Sequence, residues 1–210
     1  MPNWCNNSIT ITGPIKKIED LYRNHVIQDA DDETGLLNGM VPMPKELNDT
    51  TSPSDEPNWY DWRVSNWGTK WEVSSEGLEY NEDPDNGTAE ITGWFDSAWA
   101  PPLTAFSTYL EANPDVSITC TYEEPGMDFC GVFEDGEDDC LEDVHTEVMD
   151  VLTGHKTLEE TSALFQRMND ELDLINNRSQ WYELDDINSA REERGLPELT
   201  EEEYEAMNND

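Results

Sequence analysis

Up to residue 123 the hydrophobic residues of this chain follow a fixed order of periods, and that order constrains the fold more than any other feature. Cys5 to Thr12 alternates with a period of two and places Cys5, Ile9 and Ile11 on one side, which predicts a strand stopped at Gly13-Pro14. Ile15, Ile18, Leu21, Tyr22 and His25 or Val26 then fall on one helical face. After the acidic break from Asp29 to Thr34 comes a short apolar run, Leu36 to Val41, and the Ser/Pro/Asp-rich stretch from Thr50 to Asn58 reads as a surface loop. Trp71 to Tyr80 and Thr88 to Phe95 are strand candidates joined at Asn86-Gly87, a pair that supplies the positive φ angles of a tight hairpin. Pro101-Pro102 suits a helix start, with Leu103, Phe106, Tyr109 and Leu110 as its apolar stripe. Val116 to Tyr122 is the next strand, and Pro125-Gly126 turns it back as Asp128 to Phe133.

The order strand, helix, strand, strand, helix, strand is the ferredoxin-like split βαβ arrangement of the α+β class. It buries two helices on one face of an antiparallel sheet. Residues 1–133 therefore read as a ferredoxin-like domain with one extra edge strand. Residues 134–210 read as an acidic helical extension. In that extension Glu134 to Asp139 is a linker or helix start, and Leu141, Val144, Val148 and Val151 form a first helix that ends at Gly154. Thr157 to Glu160 is a capping box opening a second helix, striped by Leu158, Leu164, Phe165, Met168, Leu172 and Ile175. A third helix covers Leu184 to Arg194, and Thr200 to Glu203 repeats the capping pattern.

Charge limits what such a fold can bind. The 210 residues carry 49 acidic and 11 basic side chains, a formal net charge of -38. Repulsion on that scale opposes compaction and makes stability salt-dependent. Nucleic acid, itself a polyanion, is not expected as a direct ligand. No apolar run is long enough to span a bilayer and the first residues have no signal-peptide pattern, so no membrane partner is expected and the location is cytoplasmic. Residues 134–210 hold 25 of the acids against 5 bases, so the shorter segment carries more than half of the charge.

Catalytic and metal signatures are missing. There is no GxSxG, HExxH, GxxxxGK[ST] or GxGxxG. His25, His145 and His155 read as packed or solvated helix residues, and neither Gly87 nor Gly136 is preceded by the ligand spacing of a calcium loop. Cys5, Cys120, Cys130 and Cys140 have no CxxC or histidine partner spacing and read as buried thiols. A turn centred on Pro125 leaves Cys120 and Cys130 facing each other, which keeps a redox or metal role for that pair open. The chain is expected to be no enzyme and to need no cofactor.

Trp59, Trp62, Trp67, Trp71, Trp94 and Trp99 gather within about forty residues, beside Arg63 and Lys70. Trp67, Trp71 and Trp99, with Asn66, Thr69 and Lys70, are the candidates for a small-molecule pocket of nucleotide type. The alternative is that the indoles seal a small sheet. The acidic runs have two readings as well. Glu134, Asp135, Glu137, Asp138 and Asp139, with Asp185 and Asp186, are candidates for contact with a basic protein, their carboxylates standing in for phosphates. General adaptation to salt, consistent with only five lysines, needs no partner.

Several segments together resemble one family, the Api-like ferredoxin-like proteins of bacteriophages and plasmids. They are Met1-Pro-Asn-Trp-Cys-Asn6, Pro42-Met-Pro44 with Glu46-Leu47, Asn66-Trp-Gly-Thr-Lys-Trp71, Phe95-Asp-Ser-Ala-Trp-Ala-Pro-Pro102, and Tyr122-Glu-Glu-Pro-Gly126 with Phe129 and Gly131. The resemblance covers residues 1 to about 133 and leaves the helical segment after 134 outside. It implies a ferredoxin-like fold and a mobile-element origin, and it carries no catalytic residues. The function expected is a phage accessory protein in the host cytoplasm that binds a basic host protein, as a DNA mimic or anti-defence factor. A nucleotide-type ligand in the tryptophan region is the alternative, and self-association through the helical stripes stays open.

Overall fold

In the computed structural model residues 3–26 and 34–207 are described, the side chains of residues 206 and 207 excepted. Met1, Pro2 and the acidic break over 29–33 lie outside the described residues. Strand β1 (Trp4–Pro14) alternates as its sequence requires, with Cys5, Asn7, Ile9 and Ile11 buried. It is the centre of a six-stranded sheet of order β2-β3-β1-β4-β5-β6, with β2 at Leu78–Asp83, β3 at Thr88–Ala98, β4 at Ser117–Glu124, β5 at Phe129–Glu134 and β6 at Glu137–Glu142. β1 is antiparallel to both β3 and β4, pairing Ile11 with Ile91 on one side and with Ile118 on the other. β2 is antiparallel to β3. The first four strands with their two crossover helices make the fold ferredoxin-like and α+β.

Helix α1 (Ile15–Leu21) begins directly after Pro14 and passes into a π-helical turn over Tyr22–Val26. Helix α2 is the short apolar run Leu36–Met40, and α4 is Leu103–Ala112. Ile18, Leu21, Leu37, Ala105 and Phe106 meet Ile9, Ile11, Ile91, Phe95 and Ile118 in one buried core. Helix α3 (Trp59–Trp67) lies where no helix was expected. Its signal is Asn58, whose Oδ1 accepts from Asp61 N at 3.0 Å while its Nδ2 donates to Asp61 Oδ2 at 2.7 Å. Gly68, at φ 86°, ends it.

The expected first strand of the central hairpin begins later than its apolar pattern suggested. Only Leu78–Asp83 pairs, and residues 71–77 are irregular. A larger correction concerns 134–139, which is neither linker nor helix start. Asp135 (φ 49°) and Gly136 (φ 104°) form a hairpin turn, and Glu137–Glu142 returns as β6, so two strands rather than one extend the sheet. Asp135 fastens the turn by accepting from Ile118 N at 2.8 Å and from Ser117 Oγ at 3.1 Å. Asp135 N in turn donates to Ile118 O at 3.0 Å. Cys5, Cys120 and Cys130 are buried, whereas Cys140, on β6, is exposed; none forms a disulfide. Burial raises the Cys5 thiol to about 12 and moves Cys120 further in the same direction, so neither is a nucleophile near neutrality.

The chain divides into two compact units, Met1–Met127 with Val132–Asp139, and Asp128–Gly131 with Cys140–Asp210. In the second, α5 (Val144–Leu152) buries Val144, Val148 and Leu152. The expected second helix is three pieces. The capping box of Thr157 and Glu160 opens only a 3₁₀ turn, Leu158–Glu160. Ser162 then caps α6 (Ala163–Leu172) by accepting from Phe165 N at 3.0 Å. Asp173, at φ 50°, separates α6 from α7 (Leu174–Ser179). Helix α8 is Leu184–Glu193, and α9 is Glu201–Met207, capped by Thr200 and Glu203. Arg178, 1% exposed, bonds Asp128 Oδ1 at 2.5 Å, and the same carboxylate accepts from His145 N at 2.9 and 3.1 Å. No described helix is long and apolar enough to cross a membrane.

Candidate functional site

The clustered tryptophans are sorted by α3 and the strand ends into two internal sites and one open cleft. Trp67, 1% exposed, donates from Nε1 to Val41 O at 2.8 Å and meets Trp62 edge-on at 5.9 Å. The Arg63 guanidinium lies 4.9 Å from the Trp67 ring and 5.3 Å from Trp59. Lys70 Nζ lies 4.5 Å from Trp71, 5.5 Å from Trp99 and 5.7 Å from Tyr60. Each cation of this region thus fills an aromatic recess of its own chain, an arrangement held by the ring quadrupoles. Thr69, 1% exposed, bridges to β3 through Ala98, donating to its carbonyl at 2.9 Å and accepting from its N–H at 3.1 Å. Asn66 Nδ2 donates to Trp62 O at 2.8 Å. Of the six proposed pocket residues, Asn66, Trp67 and Thr69 hold the α3 end together, and Lys70, Trp71 and Trp99 form the lysine recess.

The open cleft beside them was not read from the sequence. Trp94 is 64% exposed and Trp4 46% exposed, and both project from the sheet face opposite the helices, as does Asp96. A recess of about 610 Å³ is lined by these three together with Glu72, Ser74, Glu76, Gly77 and Phe95. Two glycines allow the chain to pack closely beside it. A Cβ on Gly93 (φ 139°) would meet Gly77 O at 1.9 Å, and one on Gly77 would come within 2.4 Å of Trp94 O and 3.0 Å of its indole. Gly77 therefore lies directly on Trp94, whose backbone N–H donates to Gly77 O at 3.2 Å. The signal for this site was the outward parity of Trp4 and Trp94, which becomes legible only once the β1–β3 register is known.

Glu72 anchors the cleft floor to α2. Its Oε1 accepts from Leu37 N at 2.8 Å and Val73 N at 3.1 Å, and its Oε2 from Asn38 N at 2.8 Å. Burial outweighs these three donors and pushes the carboxyl up to about 7. A carboxyl whose folded pKa exceeds its unfolded value binds its proton more tightly when folded. The stability linked to Glu72 is therefore full below about 4.5 and is lost as pH rises toward 7. Thermal melts at several pH values test this: the difference in Tm between the wild-type chain and Glu72→Gln should change across that window and stay constant outside it.

The acidic candidates separate by unit. Glu134, Asp135, Glu137, Asp138 and Asp139 are all exposed along the β5–β6 hairpin. Asp135 and Asp138 also hold structure, Asp138 by accepting from Tyr122 Oη at 2.7 Å. Asp185 and Asp186, in the other unit, are exposed in the first turn of α8, where negative charge is favourable. From Trp71 to His155 the chain has 22 acidic residues and not one lysine or arginine. β2 to β6 lie within this stretch and β1 has neither residue, so all six strands are free of both. Among the described residues no group of three or more His, Cys, Asp or Glu side chains could hold a metal ion.

Comparison with known proteins reaches the fold and stops there. No curated protein matches the chain. The crystal structure of a protein api92 from Yersinia pseudotuberculosis matches at 18% identity over 50% of this chain and 38% of that one, with a TM-score of 0.33. The chain thus spans well under half of that protein's length. The resemblance read from short motifs ended near residue 133; the family match instead begins at α3 and continues through β6 and α5 into α6. Residues 66–166 match the family of the ferredoxin-like domain in Api92-like protein.

Proposed function

We propose that this chain is a non-enzymatic accessory protein of a bacteriophage or plasmid that binds a basic host protein in the host cytoplasm, its carboxylates taking the place of nucleic-acid phosphates as a DNA mimic or anti-defence factor. The observation that carries this reading is a six-stranded sheet without a single lysine or arginine, ending in the exposed acidic β5–β6 hairpin. A surface of one sign steers a partner of the opposite sign and speeds encounter. The nucleotide alternative finds less support. Arg63 and Lys70 are already seated over indoles, and the open cleft is bordered by Glu76 and Asp96, which repel phosphate.

Capture from bacterial lysate on the immobilised chain tests the proposal at about 0.05 M and about 0.15 M salt. The expected result is a basic, nucleic-acid-binding protein retained at both, more strongly at the lower. Retention of no basic protein at either salt refutes the reading and leaves the acidity as salt adaptation.

A further inference from the structure

We infer that the Trp4–Trp94 cleft receives an arginine side chain displayed by the basic partner, an assignment that rests on the function proposed above. The chemistry is already used twice within the chain. Arg63 lies between Trp59 and Trp67, and Lys70 among Tyr60, Trp71 and Trp99, each a cation held against ring faces. The cleft offers the same walls, with Trp4 46% and Trp94 64% exposed, and no lysine or arginine lines it. Carboxylates border the cleft as well. Glu76 borders it, and Asp96 is fixed on β3 by Asn6 Nδ2, which donates to its Oδ1 at 2.6 Å.

A planar guanidinium suits this combination better than a point-like ammonium, since it can stack on an indole and fork to a carboxylate at once. The volume, about 610 Å³, exceeds that of one side chain and admits the flanking backbone of a peptide. Trp94 is 64% exposed, and one side of its ring lies on the bare backbone of Gly77. Large aromatic side chains at such positions are the residues on which protein interfaces concentrate their affinity.

The experiment uses the full chain labelled with ¹⁵N and reads the indole N–H signals during titration with acetyl-Gly-Arg-Gly-amide. The controls are the same peptide with citrulline, a neutral isostere, and the methylguanidinium ion. The Trp4 and Trp94 signals should move with the arginine peptide and stay still with the citrulline peptide. Trp94→Ala should weaken binding by about tenfold or more, Glu76→Gln by a few fold, and Trp181→Ala, an exposed indole of the other unit, not at all. Equal response to citrulline, or movement of signals other than Trp4, Trp94 and Trp71, whose ring meets Trp4 at 5.8 Å, overturns the assignment. Methylguanidinium binding as tightly as the peptide overturns it in favour of a free small cation. A basic partner captured equally by Trp94→Ala and the wild-type chain refutes the cleft while leaving the acidic-surface reading standing. Loss of peptide binding in Trp94→Ala, with no basic protein captured by either chain, has the opposite meaning: the cleft binds guanidinium and the wider reading fails.

Discussion

Replacing Arg178 with methionine is expected to destabilise the second compact unit by about 3 kcal/mol, because it leaves the Asp128 carboxylate without its cation. For a unit of this size that corresponds to a fall in Tm of roughly 10–20 °C. The geometry explains why one substitution reaches so far. Arg178 is 1% exposed on α7, and its partner carboxylate also receives His145 N at the start of α5. Asp128 has φ 61°, a conformation that asparagine tolerates. The double change Asp128→Asn with Arg178→Met removes both charges and keeps an acceptor for His145 N. It should recover most of the loss, so that the two effects are strongly non-additive. Differential melting followed by amide exchange over residues 140–207 reads both. A loss in the double variant as large as the sum of the single ones contradicts the ion pair as the cause.

The second large effect concerns binding. Changing Glu137, Asp139, Asp185 and Asp186 together to lysine should weaken capture of the basic partner by about 100-fold at physiological salt, mostly through slower association. These four are chosen because they are exposed and because Asp135 and Asp138 brace the hairpin. The far-UV spectrum and the Tm should change little, since the relief of repulsion in a chain of net charge -38 offsets the loss of the two carboxylates from the first turn of α8. Unchanged affinity in the folded variant excludes both acidic segments as the contact.

The split βαβ core was legible because its strands and helices are amphipathic with clean periods. Ile9, Ile11, Ile18 and Phe106 are read as inward and are buried. Strand β6 was illegible for the opposite reason. Glu-Asp-Asp-Cys-Leu-Glu offers almost no apolar alternation, and its strand state is set by the Asp135-Gly136 turn and by pairing beside β5. Helix α3 hid behind tryptophans on several faces, and only its Asn58 to Asp61 cap marked it. The helix expected over 157–175 broke at Thr161-Ser162 and Asp173, where side-chain caps and a left-handed residue outweigh a continuous stripe. At the candidate site, residue types were readable and partners were not. Lys70 looked like a ligand contact until its rings came into place around it, while Trp4 and Trp94, ninety residues apart, reach one cleft only through the β1–β3 register.

Displacement of DNA tests the central claim most directly. The captured basic protein is loaded with a fluorescent duplex, and anisotropy is followed as this chain is added at physiological salt. The account predicts that the duplex is released as the chain binds, that higher salt weakens the effect, and that the four-lysine variant releases none. A stable ternary complex, with duplex and chain bound together, would contradict it.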